Sequence, residues 1–210
     1  MHDITFFLIM LFIYATLALI CISFNTIYSK KYINLISVSH ILGIFTVIFS
    51  IFNNIIQFNH IISSSTVLFF LMANFIAILA LLNFLNIIIK PIYKCTALII
   101  VIVDIYSLNF FPQGSVFIHK VLIMSIYVVI GILMLKSKNN NISRKFLGVC
   151  CVVFPIAQMI FQILIMFVIN YASNLDLALY VLQSLASSLI LILVTMEDER
   201  KDLNKHMNVL

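Results

Sequence analysis

Residues 1–24 read MHDITFFLIMLFIYATLALICISF, and from residue 4 to residue 24 no side chain carries a charge. A cleavable signal peptide would have a cationic start, an apolar run of roughly 7–15 residues and a small-x-small exit. This stretch begins with His2 and Asp3, runs on too long and has no such exit. It is long enough to cross the bilayer hydrocarbon, for which about 20 apolar residues suffice. The spacing predicts a retained membrane helix.

The rest of the chain follows the same pattern. Of 210 residues, 64% are hydrophobic, and the mean hydropathy is +1.21, whereas soluble domains hold roughly 45–50% apolar residues. A soluble core of this size cannot hide so much hydrocarbon. Only 4 Gly and 3 Pro punctuate the sequence, so the apolar runs are long. The span-length rule places seven helices near 4–27, 33–56, 64–89, 93–110, 116–135, 146–169 and 175–196. The joints are short and polar, such as YSKKY and KSKNNNISRK. A transmembrane β-barrel would need alternating ten-residue segments and many turn residues, and neither occurs. Backbone groups in lipid must bond within their own segment, which favours helices. The expected fold is all-α, a polytopic transmembrane bundle over 1–196 with a charged helical extension at 197–210.

The net charge of +5 would suit nucleic acid in a soluble protein, but here topology explains it. Lys30, Lys31, Lys90, Lys94, Lys136, Lys138, Arg144 and Lys145 fall in alternate joints, and Arg200, Lys201 and Lys205 follow the last span. Lys120 alone falls on the other side. Because cytoplasmic loops collect Lys and Arg, the N-terminus is expected outside and the C-terminus inside. The partner is the lipid bilayer, not nucleic acid. The four cysteines, Cys21, Cys95, Cys150 and Cys151, lack zinc-site spacing and read as apolar filler. The lone Pro112-Gln113 has no counterpart in the first half, so a repeated small-transporter plan does not fit.

Most polar residues within the spans are Asn, Ser and Thr, whose ordinary work is helix–helix hydrogen bonding. Asp104 differs, because an intramembrane carboxylate faces a bundle interior or a wet cavity. Counting ~1.5 Å per residue along each helix puts Asp104, Asn74, Gln162 and Gln183 in one layer of the outer half. They are the candidate ligand-binding residues of a pocket open to the outside. The competing reading has Asp104 protonated, or paired with Lys120 or His119. In span 6, Pro155 removes a helical N–H and predicts a kink, while Gln158 and Gln162 share a face. His40 has no second histidine at its depth and reads as a hydrogen-bonded packing residue. No metal, haem or other cofactor is expected, nor any catalytic set, so the expected protein is not an enzyme.

The densest charge closes the sequence, in LVTMEDERKDLNKHMNVL at 193–210. No Gly or Pro separates it from the last span. Met196, Arg200, Leu203, Met207 and Leu210 recur at 4-3-4-3 spacing, which is coiled-coil spacing over two heptads. Either the helix continues into the cytoplasm and begins to dimerise, or the tail is solvated and merely stops the span.

This junction, VTMEDERKDL, resembles the one between the membrane sensor region and the output domain of bacterial GGDEF-type diguanylate cyclases and membrane histidine kinases. The resemblance covers the chain as architecture, and its local motif runs from Met196 to Leu203. It implies a sensory input module in a bacterial cytoplasmic (inner) membrane. Signal transduction would pass through Met196, Glu197, Asp198, Glu199, Arg200 and Leu203 to a cytoplasmic signalling protein, with homodimerisation through the last span. No GGDEF or kinase domain follows Leu210, so an isolated sensor-like domain or a truncated relative is expected. The alternatives are a small transporter or channel subunit that couples Asp104 to a cation, and a membrane accessory protein.

Overall fold

A computed structural model describes residues 2–56, 60–87, 112–137, 142–168 and 173–207. Its regular structure there is helical throughout: α1 (His2–Tyr28), α2 (Lys31–Ile55), α3 (His60–Phe84), α4 (Pro112–Lys136), α5 (Ile142–Val168) and α6 (Ser173–Met207). Five helices hold segments long and apolar enough to cross a membrane, namely Ile4–Tyr28, Lys31–Asn53, Ser64–Phe84, Ile142–Phe161 and Val181–Lys201. Together they mark an integral membrane protein. The span expected at 93–110, and Asp104 with it, lies outside the described residues.

Local chemistry sets the helix ends. Ser29 takes a left-handed φ of 49°, and its N–H donates to Asn25 O at 2.8 Å. Lys30 O then accepts from the N–H groups of Ile33 and Asn34, so α2 starts at once and α1 and α2 form a tight hairpin. α3 was expected to run to residue 89 but ends at Phe84. Asn86 adopts φ 58°, a conformation that Asn tolerates better than most residues. The N–H of Ile87 then reaches back to Leu82 O at 2.9 Å, as in a Schellman cap. The apolar run continues past this point in sequence, but α3 ends at Phe84. α6, in contrast, continues unbroken through the charged run to Met207.

In the packing, α2 lies between α1 and α3, α5 between α4 and α6, and α6 returns to α1. Lipid offers little hydrophobic drive between helices, so close packing and small residues matter more than in water. The α4–α5 crossing shows this. A Cβ on Gly131 would stand 2.7 Å from Gly148 O, and one on Gly148 would stand 3.0 Å from Gly131 O. Only a glycine pair lets these backbones meet. Pro155 is buried in α5, and the helix runs on past it.

The buried side chains form two apolar clusters. One holds Phe7, Met10, Val47 and Val181. The other includes Cys21, Ile33, Ile36, Leu81, Leu147 and Leu191. Along α1 the first cluster gives way to the second between Met10 and Cys21, along α2 between Val47 and Ile36, and along α6 between Val181 and Ile190. The candidate site fills that gap.

Candidate functional site

Between the clusters lies a polar layer. α1 contributes Tyr14, α2 Ser39, His40 and Thr46, α3 Asn74, α4 Tyr127, and α6 Gln183, Ser184, Ser187 and Ser188. These residues enclose two adjoining cavities, of about 30 Å³ and about 20 Å³. Ser39, Asn74, Ala77, Tyr127 and Ser184 line both. Ala73, Ala77 and Gly43 keep the walls thin, so room is left where larger residues would close the space. Gly43 also seats the Tyr14 ring, because a Cβ there would meet a ring carbon at 2.7 Å.

Hydrogen bonds across this layer tie the helices together. Ser39 Oγ of α2 donates to Ala73 O of α3 at 2.8 Å. His40 Nε2 and Ser188 Oγ of α6 lie 2.7 Å apart. Tyr14 of α1 and Ser184 of α6 line the same cavity, and the Tyr14 ring lies 6.0 Å from that of His40. Asn74 spends an amide hydrogen on Phe70 O, one turn back in its own helix. The Ser187 hydroxyl does the same with Gln183 O. His40 Nδ1 and Gln183 Oε1 are buried and lack a hydrogen-bond partner among the described residues. On α5, both amide atoms of Gln158 are in the same state.

A second set of contacts lies about ten residues further along α2 and α6, toward the joint between α1 and α2. Tyr32 OH and Thr195 Oγ1 are 3.0 Å apart. Lys30 Nζ meets Glu199 Oε1 at 2.5 Å. As α2 descends from His40 through Tyr32 to Lys30, α6 passes from Ser188 through Thr195 to Glu199, so the two helices run antiparallel. Arg144, at the start of α5, lies 3.6 Å from Asp198 and sits 4.6 Å over the Phe84 ring. Phe84 in turn packs edge-on against Tyr32 at 5.3 Å. Thr195, Tyr32, Phe84, Arg144 and Asp198 thus close a ring through α6, α2, α3 and α5. Glu197 accepts from Ser143 Oγ at 2.9 Å and pairs with Lys201 one turn on, at 3.1 Å.

The sequence-derived residues fall out as follows. Asn74 and Gln183 line one cavity. Asp104 is outside the described residues, and so is the side chain of Gln162. Glu197, Asp198 and Glu199 are partly buried against the bundle, while Met196, Arg200 and Leu203 are exposed. This division follows the helix: Asp198 points about 200° around from Met196, at about 100° per residue. The hydroxyl-rich wall of α6 was not singled out from sequence, although QSLASS at 183–188 carries its signal. The two tyrosines that close the cavity, Tyr14 and Tyr127, were missed as well. No group of His, Cys, Asp and Glu able to hold a metal occurs among the described residues. Cys21, Cys150 and Cys151 are free, buried thiols.

No protein-family model, curated protein or solved structure matches the chain.

Proposed function

We propose that this protein is a relay module of the membrane, non-enzymatic and sensory. It crosses the bilayer seven times with its N-terminus outside and its C-terminus in the cytoplasm, and it passes changes in helix packing through α6 to a partner. The single observation that carries this reading is the continuity of α6. One unbroken helix forms the wall of the polar layer at Gln183, Ser184 and Ser188, then the clasped carboxylates at Glu197, Asp198 and Glu199, then an exposed extension. A shift of α6 at the cavity has no hinge in which to dissipate before it reaches the tail.

The exposed side of α6 supports a homodimer as the receiving assembly. Leu182, Leu189, Met196 and Leu203 are exposed at seven-residue spacing, and Leu193 and Met207 interleave with them. The heptad pattern of the tail therefore reaches back through the membrane segment, over the three to four heptads that a coiled-coil seam requires. Lipid can cover the membrane part of such a stripe but not Leu203 and Met207 beyond the charged belt. A parallel second copy covers both. On this reading the bacterial cytoplasmic membrane is the setting, and the cytoplasmic signalling partner docks at or beyond the paired tails.

The polar cavity favours a second reading, that of a small transporter or channel subunit with Asp104 coupled to a cation. At about 20–30 Å³ the cavities are too small in this conformation for a solute much larger than water. Proteoliposomes separate the two. The relay reading expects cross-linking of Leu193→Cys between copies, lost when residues 197–210 are removed, and no solute flux. Flux abolished by Asp104→Asn and indifferent to the tail would replace it with the transporter reading.

A further inference from the structure

His40 Nδ1 and Gln183 Oε1 are both buried and both without a hydrogen-bond partner among the described residues. His40 is 3% exposed and Gln183 6%, and both residues line the cavity of about 20 Å³. A buried polar atom left unsatisfied is costly, so it is normally paired with protein or with ordered water. Two such atoms on residues that line one cavity call for a common guest.

The lining defines that guest. Ser39 Oγ donates its hydrogen to Ala73 O, Thr46 Oγ1 to Leu42 O and Ser187 Oγ to Gln183 O. Asn74 gives one amide hydrogen to Phe70 O. These groups have spent donors on main-chain carbonyls, and what they keep for the cavities is chiefly lone pairs. The guest must therefore donate hydrogen bonds. It must also fit either tautomer of His40, whose Nε2 is engaged with Ser188. If Nε2 carries the hydrogen, Nδ1 needs a donor; if Nδ1 carries it, Nδ1 needs an acceptor. Gln183 Oε1 needs a donor in both cases. Water donates and accepts, whereas a bare cation serves only the first tautomer. A cavity holds a water once it offers roughly 10–15 Å³ and two to four polar partners, and both cavities pass that size.

We infer that the polar layer is a built water-binding site, in which a water bridges His40 Nδ1 and Gln183 Oε1 and further water occupies the adjoining cavity beneath Tyr14 and Thr46. The bridge adds a further link between α2 and α6, beside His40–Ser188 and Tyr32–Thr195. It lies ~15 Å along α2 from Lys30, near the middle of a hydrocarbon layer about 30 Å thick. The inference stands whether the protein relays a signal or moves a solute.

The test is water-edited solid-state NMR on the full-length, ¹⁵N-labelled protein in lipid bilayers, with the His40 resonance assigned by its loss in His40→Asn. Magnetisation should pass from water to His40 Nδ1 and to the Gln183 side chain, and Gln183→Leu should lose most of the transfer to His40. Should that variant fail to fold, the wild-type protein still decides, through the transfer itself and through a deuterium isotope shift at Nδ1 in D₂O. Absence of both would overturn the inference. So would His40 and Gln183 resonances that move when choline in the buffer is replaced by sodium or ammonium, because the guest would then be a cation.

Discussion

Lys30 Nζ and Glu199 Oε1 meet at 2.5 Å, which pins the joint between α1 and α2 to the far end of α6. The pair joins positions 169 residues apart in sequence, and it begins a ladder that climbs through Tyr32–Thr195 to His40–Ser188. Its energy is modest. Both side chains are more than a third exposed or close to it, at 40% and 34%, and pairs this wet contribute about 0–1 kcal/mol. Its value to the fold is in position, because it holds the start of the extension against the bundle.

That gives a first prediction. Lys30→Glu should destabilise the protein by less than about 1 kcal/mol while markedly increasing protease cleavage within 200–207. The double exchange Lys30→Glu with Glu199→Lys should restore protection. Thermal unfolding and limited proteolysis in nanodiscs read the two effects separately. Protection unchanged by Lys30→Glu would show that the clasp does not depend on this pair.

Arg144 is held more tightly, with a side chain 17% exposed that pairs with Asp198 and lies over the Phe84 ring. Lys keeps the charge but loses the planar stacking surface. Arg144→Lys is expected to cost about 0.5–2 kcal/mol, the range of a partly desolvated cation–π contact. Phe84→Leu should cost less in a background that already carries Arg144→Lys than in the wild-type protein. A double-mutant cycle by chemical unfolding checks this, and simple additivity would refute a direct Arg144–Phe84 contribution.

The glycines separate two kinds of close approach. At Gly131 an added Cβ meets a backbone oxygen of α5 at 2.7 Å, whereas at Gly43 it meets the Tyr14 ring at the same distance. A ring can rotate aside and a backbone cannot without moving its helix. Gly131→Ala should therefore destabilise by about 1–3 kcal/mol, the usual cost of overpacking. Gly43→Ala should cost less and should instead displace the Tyr14 ring. Unfolding midpoints for the two variants in the same lipid decide the order, and a larger loss at Gly43 would contradict the packing account.

Orientation is tested by cysteine labelling in sealed right-side-out vesicles, in a background whose native cysteines are replaced. Ile56→Cys should react with an impermeant maleimide added outside. Ser29→Cys and Leu203→Cys should react only after the vesicles are opened. The reverse pattern would invert the proposed topology.

Much of the fold was legible in the sequence because lipid imposes long uncharged runs, and charge cannot be hidden inside them. Two such runs, at 4–27 and 33–56, meet at a joint that cations at Lys30 and Lys31 mark. The end of α3 was not legible, because a cap at Asn86 stops a helix without any change in hydropathy. Of the candidate pocket residues, Asn74 of α3 and Gln183 of α6 line one cavity; depth along a helix can be counted from its ends. Counting does not give the rotation of one helix against another, so the hydroxyl face of α6 and the tyrosines opposite it were not foreseen. The carboxylates at 197–199 were read as part of a charged extension, either a cytoplasmic helix or a solvated tail. Their partners Lys30, Ser143 and Arg144 lie in distant joints, and only the packing of α1, α2 and α5 around α6 brings them together.

The central claim is that α6 couples the polar layer to the tail as one rigid element. It is tested most directly by double electron–electron resonance between spin labels at Leu203→Cys in the protein reconstituted in bilayers, with and without Gln183→Leu. The account predicts a single short intermolecular distance for paired tails, and a lengthened or broadened distance once the cavity wall is altered. An intermolecular distance unchanged by Gln183→Leu in a folded protein, or no intermolecular distance at all, would contradict it.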